Sequence, residues 1–296
     1  MFKNILLCSD GSDQAINAAR VAASIAHSCS SAFTVVNVFD LAASTVPYMG
    51  QWGLMTDAEG YALYATEVQN SAEQRTGNVL SEQGVEYTSI KEMGRPVDII
   101  VSVAERIDSD LIVLGNRGLT SWEALLLGSV ADGVVHYAHR PVLVVRGNNP
   151  QFNRVLLAAD GSEAACRAAR VATDIASAFD VPLTVLSVFE PSHNYPAVLQ
   201  EAATDPEAYS VSVLNTMRDA TLAAVKDCTA VAEVAQEEGH PAEVIIRYAE
   251  EHKADLSECT LQLFFPLHLS SYGMCSCQLL YIECCPWRHR PPQSPI

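Results

Sequence analysis

Gly115-Asn116-Arg117-Gly118 is followed, after nine residues, by Gly128-Ser129. The first two glycines come directly after the apolar run Leu111-Ile112-Val113-Leu114, which reads as a strand. Gly128-Ser129 opens Val130-Ala131-Asp132-Gly133-Val134-Val135, which reads as a helix start. Glycine lets the main chain turn sharply and lets a ligand come close to its N–H groups. A helix N-terminus adds unpaired N–H donors and the positive end of its dipole. Ser129 supplies a hydroxyl there and Arg117 a positive charge. This set of groups is an anion cradle, and the expected anion is a phosphate. The chain has no G-x-x-x-x-G-K-[ST] loop and no G-x-G-x-x-G fingerprint, so neither common phosphate motif explains the glycines.

The elements that must carry this cradle occur twice. Phe2, Leu6, Leu7, Asp10, Gly11, Ser12, Ala15, Ala18, Ala19 and Arg20 recur 150 positions later, from Phe152 to Arg170. Further on, the offset drops to 145: Gly94, Pro96, Ile100 and Asp110 recur as Gly239, Pro241, Ile245 and Asp255. Two copies of one domain are expected, at residues 1–147 and 152–256. Each alternates strand and helix. In the first, strands are expected at Asn4–Cys8, Ala32–Val38, near Glu86–Lys91, at Leu111–Leu114 and at Pro141–Val145. Ser12 should cap a helix with one apolar face, a long helix should run from about Tyr61 to Gln83, and Pro96 should open another. Residues 40–60 read as a loop. Strands alternating with helices imply an α/β fold with a parallel sheet covered on both faces.

The spacing G-x2-G-x9-G-S, with these neighbours, resembles the nucleotide loop of the universal stress protein family, in its ATP-binding branch. The resemblance implies two tandem flavodoxin- or Rossmann-like open sheets of the adenine nucleotide α-hydrolase type, with first and fourth strands adjacent. It implies a pocket at Ser9 and Asp10, with Asp10 near the adenosine and the Val38 backbone at the adenine edge. Leu114, Gly115, Arg117 and Gly118 would follow the ribose and phosphates, and Gly128, Ser129 and Val130 would hold the terminal phosphates. The implied cofactor is ATP with Mg2+ or Mn2+. Read without the family, Asp10-Gly11-Ser12 is also a simple turn and helix cap.

The second copy follows the plan to Leu256 and then departs from it. Ser257-Glu258-Cys259 stands where a glycine loop should begin, and residues 257–296 hold five of the nine cysteines and one glycine. A frameshift or truncation after Leu256 is the expected cause. Translating the other two frames of the coding DNA tests it: absence of a second G-x2-G-x9-G-S segment from both would sink the idea. Without that loop the second copy, despite Asp160-Gly161-Ser162 and Val188, is expected not to hold nucleotide.

Lys and Arg total 18 against 35 Asp and Glu, a formal net charge of −17. That field disfavours nucleic acid and anionic membranes as partners. Met1–Leu7 is too short for a signal segment and no apolar run spans a bilayer, so a cytoplasmic location is expected. His136 and His139 read as solvated or capping. The cysteines of the tail lack paired C-x2-C spacing, so no metal site is expected. Tyr61, Tyr64 and Tyr87 read as packing residues.

The leading functional reading is an ATP-binding stress or regulatory protein with an unidentified protein partner. The alternatives are an interaction module of the same fold without nucleotide, and an adenine-nucleotide-consuming enzyme. No catalytic base stands out, so at most slow ATP hydrolysis is expected. The family resemblance implies last strands that pair, in an internal pseudo-dimer or a homodimer; because the second copy is expected to lack its own last strand, the Pro141–Arg146 edge should seek another chain or an apolar run of the tail, Leu261–Phe265 or Gln278–Glu283.

Overall fold

A computed structural model describes residues 1–40, 58–117, 127–147, 152–190, 215–216, 218–223, 225, 231–252, 254, 256–259 and 279–283. The expected 40–60 loop up to residue 57, Gly118, Leu261–Phe265 and the cysteines beyond Cys259 lie outside the described residues.

The first half runs β1 (Asn4–Cys8), α1 (Asp13–Cys29), β2 (Ala32–Phe39), α2 (Ala58–Glu82), β3 (Thr88–Met93), α3 (Pro96–Arg106), β4 (Leu111–Gly115), α4 (Ser129–Tyr137) and β5 (Val142–Arg146). The second contains β6 (Val155–Ala158), α5 (Glu163–Phe179), β7 (Leu183–Phe189), β8 (Val231–Glu238), α6 (Pro241–Glu251), β9 (Leu256–Cys259) and β10 (Leu279–Glu283). The strands form one sheet in the order β3-β2-β1-β4-β5-β10-β9-β6-β7-β8. β3-β2-β1-β4-β5 are all parallel, as are β9-β6-β7-β8.

The strands are short apolar runs because both faces are covered. Ile5 and Leu7 of β1 join Leu111, Val113, Leu143 and Val145 in a core beneath α1 and α2. Leu6 and Cys8 join Ile112, Leu114, Val142 and Val144 beneath α3 and α4. The alternation follows from the two-residue period of a strand. On the α1 side the core continues without a break into the second half, taking in Phe152, Val155, Leu157, Ala168, Ile175 and Val185. The Met1 amine, ion-paired with Asp174 of α5, also ties the halves together.

Ser12 caps α1 and Ser162 caps α5, each through its hydroxyl to an N–H three residues on, at 3.2 and 3.1 Å. Pro96 and Pro241 open α3 and α6. The third strand lies two residues later than the sequence indicates. It is the sheet's outer strand with a largely exposed face, so no buried alternation marks its start.

The second copy was expected to lack its last strand. The slot is instead filled by β10, from the tail, in the reverse direction. β10 is antiparallel to β9 and parallel to β5, whereas β5 is parallel to β4. Parallel neighbours need a crossover, usually a helix, and an antiparallel pair does not. In the first half that crossover is the glycine loop plus α4. Reversal of the last strand and loss of the second cradle are therefore one topological change.

Candidate functional site

Strand order reverses between β1 and β4, whose partners lie on opposite sides. In open parallel sheets the crevice at the carboxyl ends of such strands is the usual ligand site. The fold brings the ends of β1, β2 and β4 and the start of α4 to this edge. Ser9, Asp10, Val38, Leu114, Gly115, Arg117, Gly128, Ser129 and Val130 thus lie on these strand ends and at this helix start; Gly118 falls outside the described residues.

The spacing of the glycines has a concrete reason. The Asn116 N–H donates to Val145 O at 2.9 Å, and the Gly128 N–H donates to Asn116 O at 2.8 Å. The loop thus leaves β4 and returns to it at one residue. A Cβ on Gly128 would sit 3.2 Å from both Asn116 O and Arg117 Cα, so glycine lets this closure be tight. Gly115 is closer still to its neighbour: its Cβ would lie 2.8 Å from the Gln14 carbonyl carbon. β4 can therefore press against the first turn of α1.

Gly128 is the N-cap of α4 and offers no side chain to its first turn. The N–H groups of Ser129, Val130 and Ala131 have no intrahelical acceptor, a property of every helix start. In α1 and α5 a serine fills that role; in α4 the position suits an external anion. Asp132 follows in the same turn, exposed and 3.5 Å from His136 Nδ1, which itself meets Asp132 O at 2.8 Å. His136 is thus occupied within its own helix. No group of three metal-ligating side chains occurs among the described residues.

The Asp-Gly-Ser turn works alike in both halves. Asp10 Oδ1 accepts from the Ser12 N–H at 3.0 Å, and Asp160 Oδ1 accepts from the Ser162 N–H at 2.9 Å. Gly11 has φ +76 and Gly161 φ +75. The turn-and-cap reading of these residues therefore holds.

Behind the site lies a buried polar network that sequence reasoning missed. Ser9 Oγ and Thr76 Oγ1 are 2.7 Å apart, and Thr76 also donates to Ala72 O. Asn37 Nδ2 donates to Ser9 O at 2.6 Å. Gln69 Nε2 donates to Glu92 O at 2.8 Å and approaches Asn37 O at 3.4 Å. These bonds fix the ends of β1, β2 and β3 relative to α2, and with them the Val38 backbone. Glu73 of α2 pairs with Lys91 of β3; hydrogen bonds from Lys91 and Ser89 hold its carboxyl below the ordinary range. Beneath the site, burial pushes the Cys8 thiol up, so it stays protonated. A signal was present in the sequence: Gln69 and Thr76 interrupt the buried stripe Ala65, Ala72, Val79, Leu80 of α2.

In the second half Ser9 is replaced by Ala159 and Asn37 by Ser187. The Ser187 hydroxyl is fully buried and meets no hydrogen-bonding partner among the described residues. Such a group costs about 1–3 kcal/mol. The rim is thus degraded as well as lacking its cradle.

A family model for universal stress proteins matches residues 1–146 and again 151–256. The chain belongs to the universal stress protein family. A universal stress protein of Methanocaldococcus jannaschii is 34% identical over 147 residues, 49% of this chain and 83% of that protein. One of Thermus aquaticus is 35% identical over 147 residues, 49% of this chain and 100% of that protein. A universal stress protein crystal structure from Archaeoglobus fulgidus shares the fold at 21% identity and TM-score 0.63, covering 95% of this chain and 98% of that one. This universal stress protein is therefore a tandem of two family domains, the second incomplete. No helix among its described residues is long and apolar enough to cross a membrane.

Proposed function

We propose that this universal stress protein binds ATP, with a divalent ion on the phosphates, in its first half only, and passes the bound state on as a regulatory signal to a protein partner. The observation that carries this reading is the uncapped first turn of α4, held against the end of β4 by the Gly128-to-Asn116 bond of 2.8 Å. Three main-chain N–H groups, the Ser129 hydroxyl and Arg117 suit a polyphosphate. Asp10, Val38 and Leu114, at the ends of β1, β2 and β4, suit the nucleoside. With a net charge of −17, the molecule does not attract ATP from a distance, so these local donors must supply the recognition.

The degraded rim around Ser187 and the reversed β10 argue against a second site. Calorimetric titration with ATP and Mg2+ is expected to give one site per chain. Two equivalent sites would overturn the restriction to the first half, and absence of binding would overturn the reading itself.

A further inference from the structure

The main-chain groups of β2 face its two neighbours alternately. Phe39 O accepts from the Gly94 N–H at 3.0 Å, on the β3 side, and Val36 O accepts from the Ser9 N–H at 3.0 Å, on the β1 side. Val38, two residues beyond Val36, therefore faces β1 as well. In a continued parallel ladder its N–H would donate to Ser9 O and its C=O would accept from the Gly11 N–H. Among the described residues the ladder stops one step earlier, at the Ser9-to-Val36 bond.

Side chains take both of those main-chain groups. Ser9 O accepts from the Asn37 amide at 2.6 Å, and the Gly11 N–H donates to Ser9 Oγ at 3.3 Å. Ser9 Oγ is itself held. Thr76 gives its one hydroxyl proton to Ala72 O, so in the 2.7 Å contact between the two hydroxyls Ser9 is the donor. Gln69 Nε2 donates to Glu92 O at 2.8 Å and approaches Asn37 O at 3.4 Å. Asn37 O and the Val38 N–H belong to one rigid peptide plane, so Gln69 steadies that plane from the β3 side. All four side chains are buried.

Building on the proposed ATP site, we infer that Asn37 and Gln69 are positioning residues for the choice of base: they hold the Val38 N–H and C=O, one donor beside one acceptor, open toward the crevice. Adenine matches such a pair, with N1 accepting and the N6 amino group donating. Guanine sets a donor against the donor and O6 against the carbonyl. In the second half Ser187 stands in place of Asn37 and offers no amide.

The test is titration of the parent chain, Asn37→Ser and Gln69→Met with ATP and with GTP, each with Mg2+. The parent should favour ATP by roughly 10-fold or more. Each variant should lose most of that ratio, on the order of 5- to 10-fold, through weaker ATP binding. An unchanged ratio, or a fall of both affinities by one common factor, would overturn the positioning role. Hydrogen exchange of the parent chain needs no variant to fold. Without nucleotide the Val38 N–H should exchange faster than that of Val36, which lies within the β1–β2 ladder; with ATP it should slow on the order of 10-fold or more. A Val38 amide as protected as Val36 from the start, or unmoved by bound ATP, would also overturn it. A parent chain that binds ATP without preference over GTP removes this role alone, whereas one that binds no ATP removes the proposed function as well.

Discussion

Gly128→Asp is expected to weaken ATP binding on the order of 100-fold, about 2.8 kcal/mol, while leaving the fold intact. Gly128 has φ −66 and ψ 151, an extended conformation open to any residue. The new Cβ needs a few tenths of an ångström from Asn116 O and Arg117 Cα, both 3.2 Å away. Aspartate is also among the best N-cap residues, so relative to glycine the helix itself gains roughly a few tenths of a kcal/mol. That gain is the reason for the loss. The carboxylate occupies the N–H groups assigned to phosphate and opposes its charge. Gly128→Ala adds the carbon without the charge or the cap and should retain most of the affinity. The measurement is ATP titration of the three proteins alongside their thermal melts. Affinity of Gly128→Asp within threefold of the parent, with the melt unchanged, would remove α4 from the phosphate site.

Gly11→Ala should cost about 2–5 kcal/mol of stability, against about 1 kcal/mol for Gly84→Ala. Both glycines have positive φ, +76 and +68, so both substitutions carry the left-handed penalty. Only Gly11 is also crowded: its Cβ would lie 2.7 Å from Ala72 Cα, while nothing lies within 4 Å of one on Gly84. The contact is backbone of α2, which cannot rotate away. Relief must come from moving α2, and α2 carries the Thr76 and Gln69 bonds to the site rim. Urea denaturation of the two variants measures the difference directly. Equal losses would mean that α2 yields freely at Ala72 and that the rim is not braced by it.

Much of the fold could be read from residue types alone. The alanine face of α1, the serine caps, Pro96 and the apolar runs of β1, β4 and β5 are local signals, and local geometry reproduces them. Gly115 and Gly128 were legible because each sits where the main chain comes close to another segment, Gly115 against Gln14 and Gly128 against Asn116 and Arg117. The network of Ser9, Asn37, Gln69 and Thr76 was not read in advance, because each member is an ordinary polar residue until the helix is laid across three strands. The direction of β10 was also hidden. A run such as Leu279-Leu280-Tyr281-Ile282 looks the same from either end, and a strand's polarity is decided by the link that precedes it. The role of Asp10 in a turn was legible, and the matching turn at Asp160 makes the same helix cap in the second half.

The core that runs unbroken beneath both halves, from Ile5 and Leu80 to Val155 and Ile175, bears on why an incomplete repeat persists. The second half shields apolar surface that belongs to the first. Deleting it would strip that surface bare, whatever became of its own pocket. A repeat without the glycine loop can thus remain indispensable as cover for the one that has it, and mutational tolerance in residues 152–256 should follow distance from α1 rather than distance from Asp160.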